Sequence, residues 1–199
     1  GIDIPAGVSN YVVKDSFTLP VDVDAFSISP HAHYIAKTMT LKAVRPDGRE
    51  QIFLRIPDWD FAWQEQYSFQ ERIRLPKGTR LESDLTYDNS ATNPRNPIAP
   101  PVRVKWGPAS TDEMGSITMH VVPVREAAVE VLRDALRNHS TDMVIDRALQ
   151  RRKPGGMVKK LIERFDKNGN GEIDGDEREE LRSFVRASGW VPGNLNNSF

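Results

Sequence analysis

Short runs of apolar residues that alternate with polar ones fill the chain from about Tyr11 to Pro123. Alternation places successive side chains on opposite faces of a β-strand. Turn sequences such as Pro46-Asp47-Gly48 separate the runs, because proline presets φ and glycine accepts a positive φ. Many short strands at this spacing predict a mainly β fold, namely an antiparallel β-sandwich or jelly roll.

The predicted strands are 11–13, 25–28, 38–44, 51–54, 66–69, 80–87, 102–106 and 116–122. Trp59, Phe61 and Trp63 also alternate with other residues. We expect these three to share one strand, with their rings packed in the core or on a sheet face.

The period of the pattern changes after Pro123, where apolar residues recur at helical spacing. Four helices are predicted. The first ends near Asn138, the second is capped by Ser140 or Thr141, and the last two flank residues 166–177. We therefore predict a β-sandwich at 1–124, a small α-helical region at 125–189 and a loose tail at 190–199.

Residues 166–177 place oxygen-bearing side chains at the spacing of a calcium-binding loop. Gly171 permits the sharp turn that such a loop needs, and Ile173 is the apolar residue that would pair with a neighbouring loop. A hard cation needs many oxygens that converge on one point, and apolar helices on both sides would hold the loop shut. The predicted calcium ligands are Asp166, Asn168, Asn170, Glu172 through its backbone carbonyl, Asp174 and Glu177.

This loop and its flanking helices, over about 157–187, resemble the EF-hand family. EF-hands usually occur in pairs, but no second acidic loop precedes this one. Its partner is expected to be a degenerate helix–turn–helix at 126–152, another chain, or the β domain. A sensor that opens on calcium normally uses paired hands, so a fixed structural calcium is expected. The two asparagine ligands lower the negative charge of the site and its expected affinity.

Composition narrows the function less than the motifs do. The 27 basic and 28 acidic residues give a net charge of −1, so no nucleic-acid partner and no anionic membrane surface are expected. There is no cysteine, which removes disulfides and zinc–thiolate sites. No apolar run approaches the roughly 20 residues that span a bilayer. Because the chain begins at Gly1, we expect a fragment or processed form of a longer protein.

A His-x-His pair, His31 and His33, follows Pro30. Proline disfavours a helix at the residue before it, so this segment is expected to be extended. Residues two apart in a strand point to the same face, so both imidazoles would reach one metal ion. By itself, such a pair is more often two surface or packed histidines than a ligand set.

The motifs around this pair resemble a known family. They are, in chain order, residues 30–37, 56–64, 75–79, 87–90 and 111–114. Together they resemble the C-terminal domain of the copper type II, ascorbate-dependent monooxygenases, which include peptidylglycine α-hydroxylating and dopamine β-monooxygenases. The resemblance covers about 5–124 and is greatest to the bacterial members.

The resemblance implies a copper site. In that family the His-x-His pair and the methionine of an Asp-Glu-Met motif bind the copper at which oxygen is activated. Those positions are His31, His33 and Met114 here. Two imidazoles and a thioether form a soft, neutral site that suits the copper(I)/copper(II) cycle. The alternative for Met114 is that its side chain fills the core, as most methionines do.

The chain also departs from the family pattern. The enzymes carry a second copper on an N-terminal domain with three histidines, which His120 and His139 do not suffice to rebuild. Gly115 stands where the animal enzymes have a disulfide cysteine. We therefore expect this chain alone to bind copper without completing turnover.

The expected function is that of a copper- and calcium-binding module within a larger oxygen-dependent copper hydroxylase. Its expected partners are a small-molecule or peptide substrate and the absent N-terminal copper and electron-transfer domain. A location outside the cytoplasm, periplasmic or secreted, is implied by the resemblance. Two alternatives stay open, namely a non-catalytic binding or structural domain braced by calcium, and a copper carrier.

Overall fold

The computed structural model describes residues 2–149 and 156–187. These residues divide into two compact units, with the boundary between Leu132 and Arg133. The first unit is built mainly from strands and the second from helices. The tail predicted at 190–199 lies outside the described residues.

The strands follow the alternating pattern of the sequence. Strand β4, for example, buries Met39, Leu41 and Ala43, which are every second residue. The strands of the described residues are β1 (Asp3–Ile4), β2 (Tyr11–Thr18), β3 (Val23–Ala32), β4 (Ala36–Val44), β5 (Glu50–Ile56), β6 (Tyr67–Leu75), β7 (Arg80–Tyr87), β8 (Val104–Lys105) and β9 (Gly115–Pro123).

These strands pair in antiparallel fashion into two larger sheets and one small one. The first large sheet has the order β2-β7-β4-β5, and the second has the order β6-β3-β9. Strands β1 and β8 form the small sheet. In the second sheet the register pairs His31 with Ser116 and Ala32 with Gly115, which brings the end of β3 beside the start of β9.

The two large sheets share an apolar core. Its centre is Ile28 of β3 with Leu41 of β4 and Leu54 of β5, and side chains from β6, β7 and β9 pack around them. Burial of each such aliphatic side chain contributes about 1.5–3 kcal/mol. The predicted mainly β fold, an antiparallel sandwich followed by a small helical region, is confirmed.

A second core cluster lies at the end of the sandwich that carries the histidine pair. It contains Ala32 at the end of β3, Ala36 at the start of β4 and Tyr87 at the end of β7. The indole of Trp59 also belongs to it and is almost fully buried. These large rings support the short connection between β3 and β4, on which His33 lies.

The strand predicted through Trp59, Phe61 and Trp63 is wrong, because residues 57–66 form a loop between β5 and β6. Pro57 has no N–H to donate to a strand ladder. Asp60 then forms a turn, in which its carboxylate accepts from the N–H of Ala62 at 2.9 Å. The tryptophans consequently separate: Trp59 is buried, whereas Trp63 is 67% exposed.

The helices are α1 (Val129–Leu149), α2 (Gly156–Phe165) and α3 (Gly175–Ala187), and a 3-10 turn at Glu126–Ala128 precedes the first. The first two predicted helices are therefore one. Thr141 does not cap a new helix, because its hydroxyl donates to the carbonyl of Arg137 at 2.8 Å, one turn earlier in α1. Such a bond satisfies the hydroxyl within a continuous helix.

Side chains from all three helices and from the loop at 166–174 form the core of the second unit. Its buried members are Ile145 of α1, Phe165 of α2, Ile173 of the loop, and Leu181 and Val185 of α3. Ile173 thus packs in the same cluster as Ile145. Of the partners considered for the calcium loop, the segment that includes α1 is the one in this core.

A partly buried ion network joins α1 and α3. Arg182 donates to both carboxylate oxygens of Asp142, at 2.8 and 2.7 Å, and Arg178 donates to Asp142 at 2.9 Å and to Asp146 at 2.6 Å. Burial raises the pKa of Asp142, but the hydrogen bonds from Arg182 and Arg178 outweigh it, so the net pKa lies below the usual value. The charged carboxylate therefore stabilises the folded unit.

Replacement of Asp142 by asparagine is expected to lower the free energy of unfolding of the helical unit by about 1 kcal/mol, since partial exposure screens these charges. The carboxylate's contribution is present above its unfolded-state pKa of about 3.9 and is lost as the pH falls through the lower folded-state pKa. Thermal unfolding followed by circular dichroism at pH 7 and pH 2 measures this. Asp134→Asn, on the exposed Arg137–Asp134 pair of the same helix, is the control. An Asp142→Asn protein that loses as much stability on acidification as the wild type would contradict the assignment.

Candidate functional site

His31 and His33 lie close together at the end of β3. His31 is the second-to-last residue of the strand, and His33 is the first residue beyond it. Their ring centroids are 5.5 Å apart, and the planes are nearly perpendicular, at 86°. His31 is partly exposed, whereas His33 is 5% exposed. The structure thus brings the two predicted imidazoles close together at the end of β3.

The side chain of Gln64 orients His31. The Gln64 amide nitrogen donates to the carbonyl of Phe61 at 2.9 Å, which identifies its Oε1 as the atom that faces His31. That oxygen lies 2.6 Å from His31 Nδ1. An oxygen acceptor requires a proton on Nδ1, so the lone pair of the neutral ring is on Nε2.

A backbone carbonyl orients His33 in the same way as Gln64 orients His31, through the Nδ1 atom of the ring. His33 Nδ1 lies 3.1 Å from the carbonyl oxygen of Asp112, which only accepts hydrogen bonds. The His33 lone pair is consequently also on Nε2. The ring of Phe61 packs edge-on against His33 at 6.0 Å, and Trp59 Nε1 donates to the His33 carbonyl at 3.1 Å. Metal-binding histidines typically have Nδ1 occupied in this way.

Met114 lies directly before β9, whose first residue is Gly115. Gly115 and Ala32 form the last pair of the ladder between β3 and β9. Met114 and His33 each lie one residue outside this pair. The Met114 side chain is partly buried. The third predicted ligand is therefore on the segment opposite His33.

Glu113 connects these two segments. Its carboxylate is fully buried and accepts from the N–H groups of His33 at 2.7 Å, Met114 at 2.9 Å and Ile35 at 3.2 Å. Burial raises the pKa of Glu113 to about 7, although the three N–H groups lower it. The carboxylate is too deep to reach a molecule at the surface.

The donor atoms suit copper better than a harder or borderline metal. Two neutral imidazole nitrogens and a thioether carry no negative charge, whereas zinc, calcium or magnesium would require additional nitrogen or anionic oxygen ligands. Within 2–149 and 156–187, no three or more histidine, aspartate or glutamate side chains are grouped to hold a metal ion.

The loop between α2 and α3 is folded by its own polar side chains. Asp166 Oδ2 accepts from the N–H of Gly171 at 2.9 Å, and Gly171 has a φ of 84°, which favours glycine. Asn168 Oδ1 accepts from the N–H of Asn170 at 2.9 Å, and Asn170 Oδ1 accepts from the N–H of Glu172 at 2.8 Å. The side chains of the first three predicted calcium ligands thus accept hydrogen bonds from the backbone of the loop.

Two oxygens of this loop are buried and have no hydrogen-bond partner among the residues that the structure describes. They are Oδ1 of Asp166 and Oε2 of Glu177, the first and last predicted ligands. Glu177 Oε1 accepts from the N–H groups of Lys167 and Asn168, which fixes the carboxylate over the loop. Buried polar atoms almost always have a partner. A calcium ion would satisfy both oxygens, so the loop fits that cation.

The remaining two predicted ligands occupy the outer part of the same loop. Asp174 Oδ2 accepts from the side-chain amide of Asn170 at 3.3 Å, and Glu172 is exposed. Asp174 immediately precedes α3, and Arg178 N donates to its carbonyl at 3.1 Å. All six predicted ligands thus belong to one closed loop held between two helices.

Sequence reasoning gave no role to Gln64 or Glu113. Both lie within the motifs that carry the family resemblance, but each acts on a residue far away in the chain: Gln64 on His31, and Glu113 on His33. The spacing of residues along the chain cannot show a contact between two residues that lie so far apart in the sequence. The glutamate directly before Met114 was the one available signal.

Comparison of the sequence with models of known protein families gives no match, and comparison with curated proteins gives none either. Among the described helices, none is both long enough and apolar enough to cross a membrane.

Proposed function

We propose that this chain is a metal-binding module that holds copper in the β-sandwich and calcium in the helical unit, as part of a larger oxygen-dependent copper hydroxylase. The observation that carries the copper half is the pair of imidazoles, whose centroids are 5.5 Å apart and whose Nδ1 atoms each face an oxygen acceptor, which leaves the lone pair on Nε2. The motifs that resemble copper type II monooxygenases support the same proposal.

His31 and His33 would hold the metal through Nε2, and Met114 through its sulfur. When bound, copper would supply one-electron redox chemistry with dioxygen. The protein's part is to keep the imidazoles oriented, and Gln64 and the Asp112 carbonyl do this through hydrogen bonds to Nδ1. Phe61 packs edge-on against the His33 ring, and Trp59 donates to the His33 backbone carbonyl, so both help to fix this residue.

Hydroxylation needs a second electron source, and the resemblance assigns that role to another domain. His120 is engaged elsewhere, because its Nε2 lies 3.1 Å from the Ser29 hydroxyl on β3. The proposal is therefore that the chain binds copper alone and turns over only together with an electron-transfer domain. The substrate is proposed to be a small molecule or peptide, and the location extracytoplasmic.

The calcium half of the proposal rests on the EF-hand-like loop and its two unpartnered oxygens, on Asp166 and Glu177. Ile173 is already packed against the core that contains Ile145, so the loop has no apolar residue free to pair with a second loop. A calcium ion here is proposed to stabilise the helical unit and not to open it.

Copper titration tests the first half of the proposal. The wild-type protein is expected to bind one equivalent of copper(I), and replacement of both His31 and His33 by alanine is expected to weaken binding at least ~100-fold, because two of the three ligands are lost. His120→Ala is the matched control, since it removes a histidine of the same sheet outside the site. Equal affinity of the double variant and the control would refute the copper site.

Copper titration, followed by a hydroxylation assay, separates the three proposed functions. A chain that binds copper tightly but hydroxylates nothing, even when it is joined to an electron-donating domain, would be a copper carrier. A chain that binds only calcium would be a structural or binding domain. An oxygen-dependent hydroxylation assay of the joined protein therefore follows the titration.

A further inference from the structure

Glu113 is an unusual core residue for a sandwich. It is 0% exposed, and it belongs to the segment 107–114 that leads into β9. Transfer of a carboxylate from water to a protein interior costs several kcal/mol unless hydrogen bonds compensate. Here three backbone N–H groups do so, from His33, Ile35 and Met114.

These three donors come from the two segments that carry the proposed copper ligands. His33 and Ile35 lie on the connection between β3 and β4, and Met114 lies directly before β9. The ladder between β3 and β9 ends at the pair Ala32–Gly115, so neither His33 nor Met114 is held by it. Oε1 of Glu113 accepts from both residues and replaces the missing ladder bonds.

We propose that Glu113 is a positioning residue that fixes the distance between His33 and Met114, so that an imidazole and a thioether reach the same copper ion. This inference rests on the proposed copper site. The side chain would touch neither metal nor substrate. It would act through the backbone of two ligands, one on each side.

The proposal explains why a carboxylate occupies this position. A carboxylate has two oxygens that accept several N–H bonds at once, whereas an apolar residue would leave three buried donors without partners. The neighbouring His33–Asp112 bond uses the same segment, so the imidazole is fixed both at its ring and at its backbone. Loss of Glu113 would free the backbone at His33 and Met114 together.

The test is Glu113→Gln in the full 199-residue chain. Glutamine keeps the volume but offers one acceptor oxygen and one donor nitrogen, so at least one of the three N–H groups loses its partner. Copper(I) affinity, measured by competition with a chromogenic chelator, is expected to fall about 10–100-fold. Copper(II) affinity is expected to change less than about 3-fold, because thioethers favour copper(I) and the two imidazoles remain. Sulfur scattering in X-ray absorption at the copper edge should weaken.

Two further variants separate positioning from a general loss of stability. Asn89 is equally buried and donates to the carbonyls of Ile4, Pro5 and Val102, so Asn89→Ala also loosens the sandwich but away from the ligands. It should lower the melting temperature without changing the ratio of copper(I) to copper(II) affinity. In a Met114→Leu background, Glu113→Gln should no longer change that ratio.

The outcomes are distinct. A wild-type protein whose copper does not bind through His31 and His33, or binds without sulfur, would overturn both this inference and the proposed site. A wild-type protein with a sulfur ligand and an unchanged affinity ratio in Glu113→Gln would overturn the inference alone. If Glu113→Gln does not fold, Glu113→Asp, which keeps the charge but has a shorter reach, is to be measured in the same way and should show the same loss of copper(I) selectivity.

Discussion

Replacement of Gly115 by alanine is expected to destabilise the sandwich by about 1–3 kcal/mol, because the added Cβ would overlap two side chains of β7. A Cβ at Gly115 would lie 2.6 Å from Leu85 Cδ2 and still closer to the hydroxyl oxygen of Tyr87. Tyr87 and Leu85 belong to β7, and Tyr87 is fully buried. Urea unfolding, followed by tryptophan fluorescence, measures the loss.

Tyr87→Phe supplies the matched rescue. The Tyr87 hydroxyl is buried and has no hydrogen-bond partner among the described residues, so its removal alone should change stability little. In the double variant it should restore about half of the loss, since the contact with Leu85 remains. A Gly115→Ala protein within about 0.5 kcal/mol of the wild type would show that the two sheets adjust at this point more easily than close packing allows.

This contact also restricts which residues position 115 can hold. A cysteine at position 115 would carry the same Cβ and would meet Tyr87 in the same way. A side chain at this position thus requires a different arrangement of Tyr87. In this sandwich the position of the buried Tyr87 ring therefore requires glycine at position 115.

Much of the fold could be predicted from local pattern. The alternation in β4 and β9 and the turn around Gly48 are local features, and each predicts its element without knowledge of distant residues. The prediction of a calcium loop is also local, since its six predicted ligands lie within one short segment, and it stays a prediction. Local signals were reliable because the atoms that satisfy them are only a few residues away.

The errors arose where a distant or competing contact decides the structure. Alternation of aromatic residues predicted a strand at Trp59–Trp63, but a side-chain turn at Asp60 and the burial of Trp59 against the end of β3 produce a loop. Ser140 and Thr141 suggested a new helix, but α1 continues, because the Thr141 hydroxyl bonds within it. The partners of the histidine pair were missed for a related reason: Gln64 lies 33 residues from His31, and Glu113 lies 80 residues from His33.

Replacement of Glu177 by glutamine is expected to lower calcium affinity by about 100-fold, because a charged ligand is lost from a site that already has two neutral asparagines. In the absence of calcium the variant should be as stable as the wild type or slightly more stable. Oε2 of Glu177 is buried without a partner in the described loop, so removal of its charge relieves a desolvation cost. The variant should thus be less stable than the wild type only when calcium is present.

Circular dichroism of the helical signal during heating measures this difference with and without calcium. At a calcium concentration 100 times the dissociation constant, the wild-type helical unit should gain about 2.7 kcal/mol, and the variant should gain less than about 0.5 kcal/mol. Glu180→Gln is the control, since Glu180 is exposed on the same helix and pairs with Lys167 outside the ligand set. If calcium stabilises Glu177→Gln as much as Glu180→Gln, the prediction is wrong. The unpartnered oxygens of Asp166 and Glu177 would then have another explanation, and the proposed structural role of the loop would have to be abandoned.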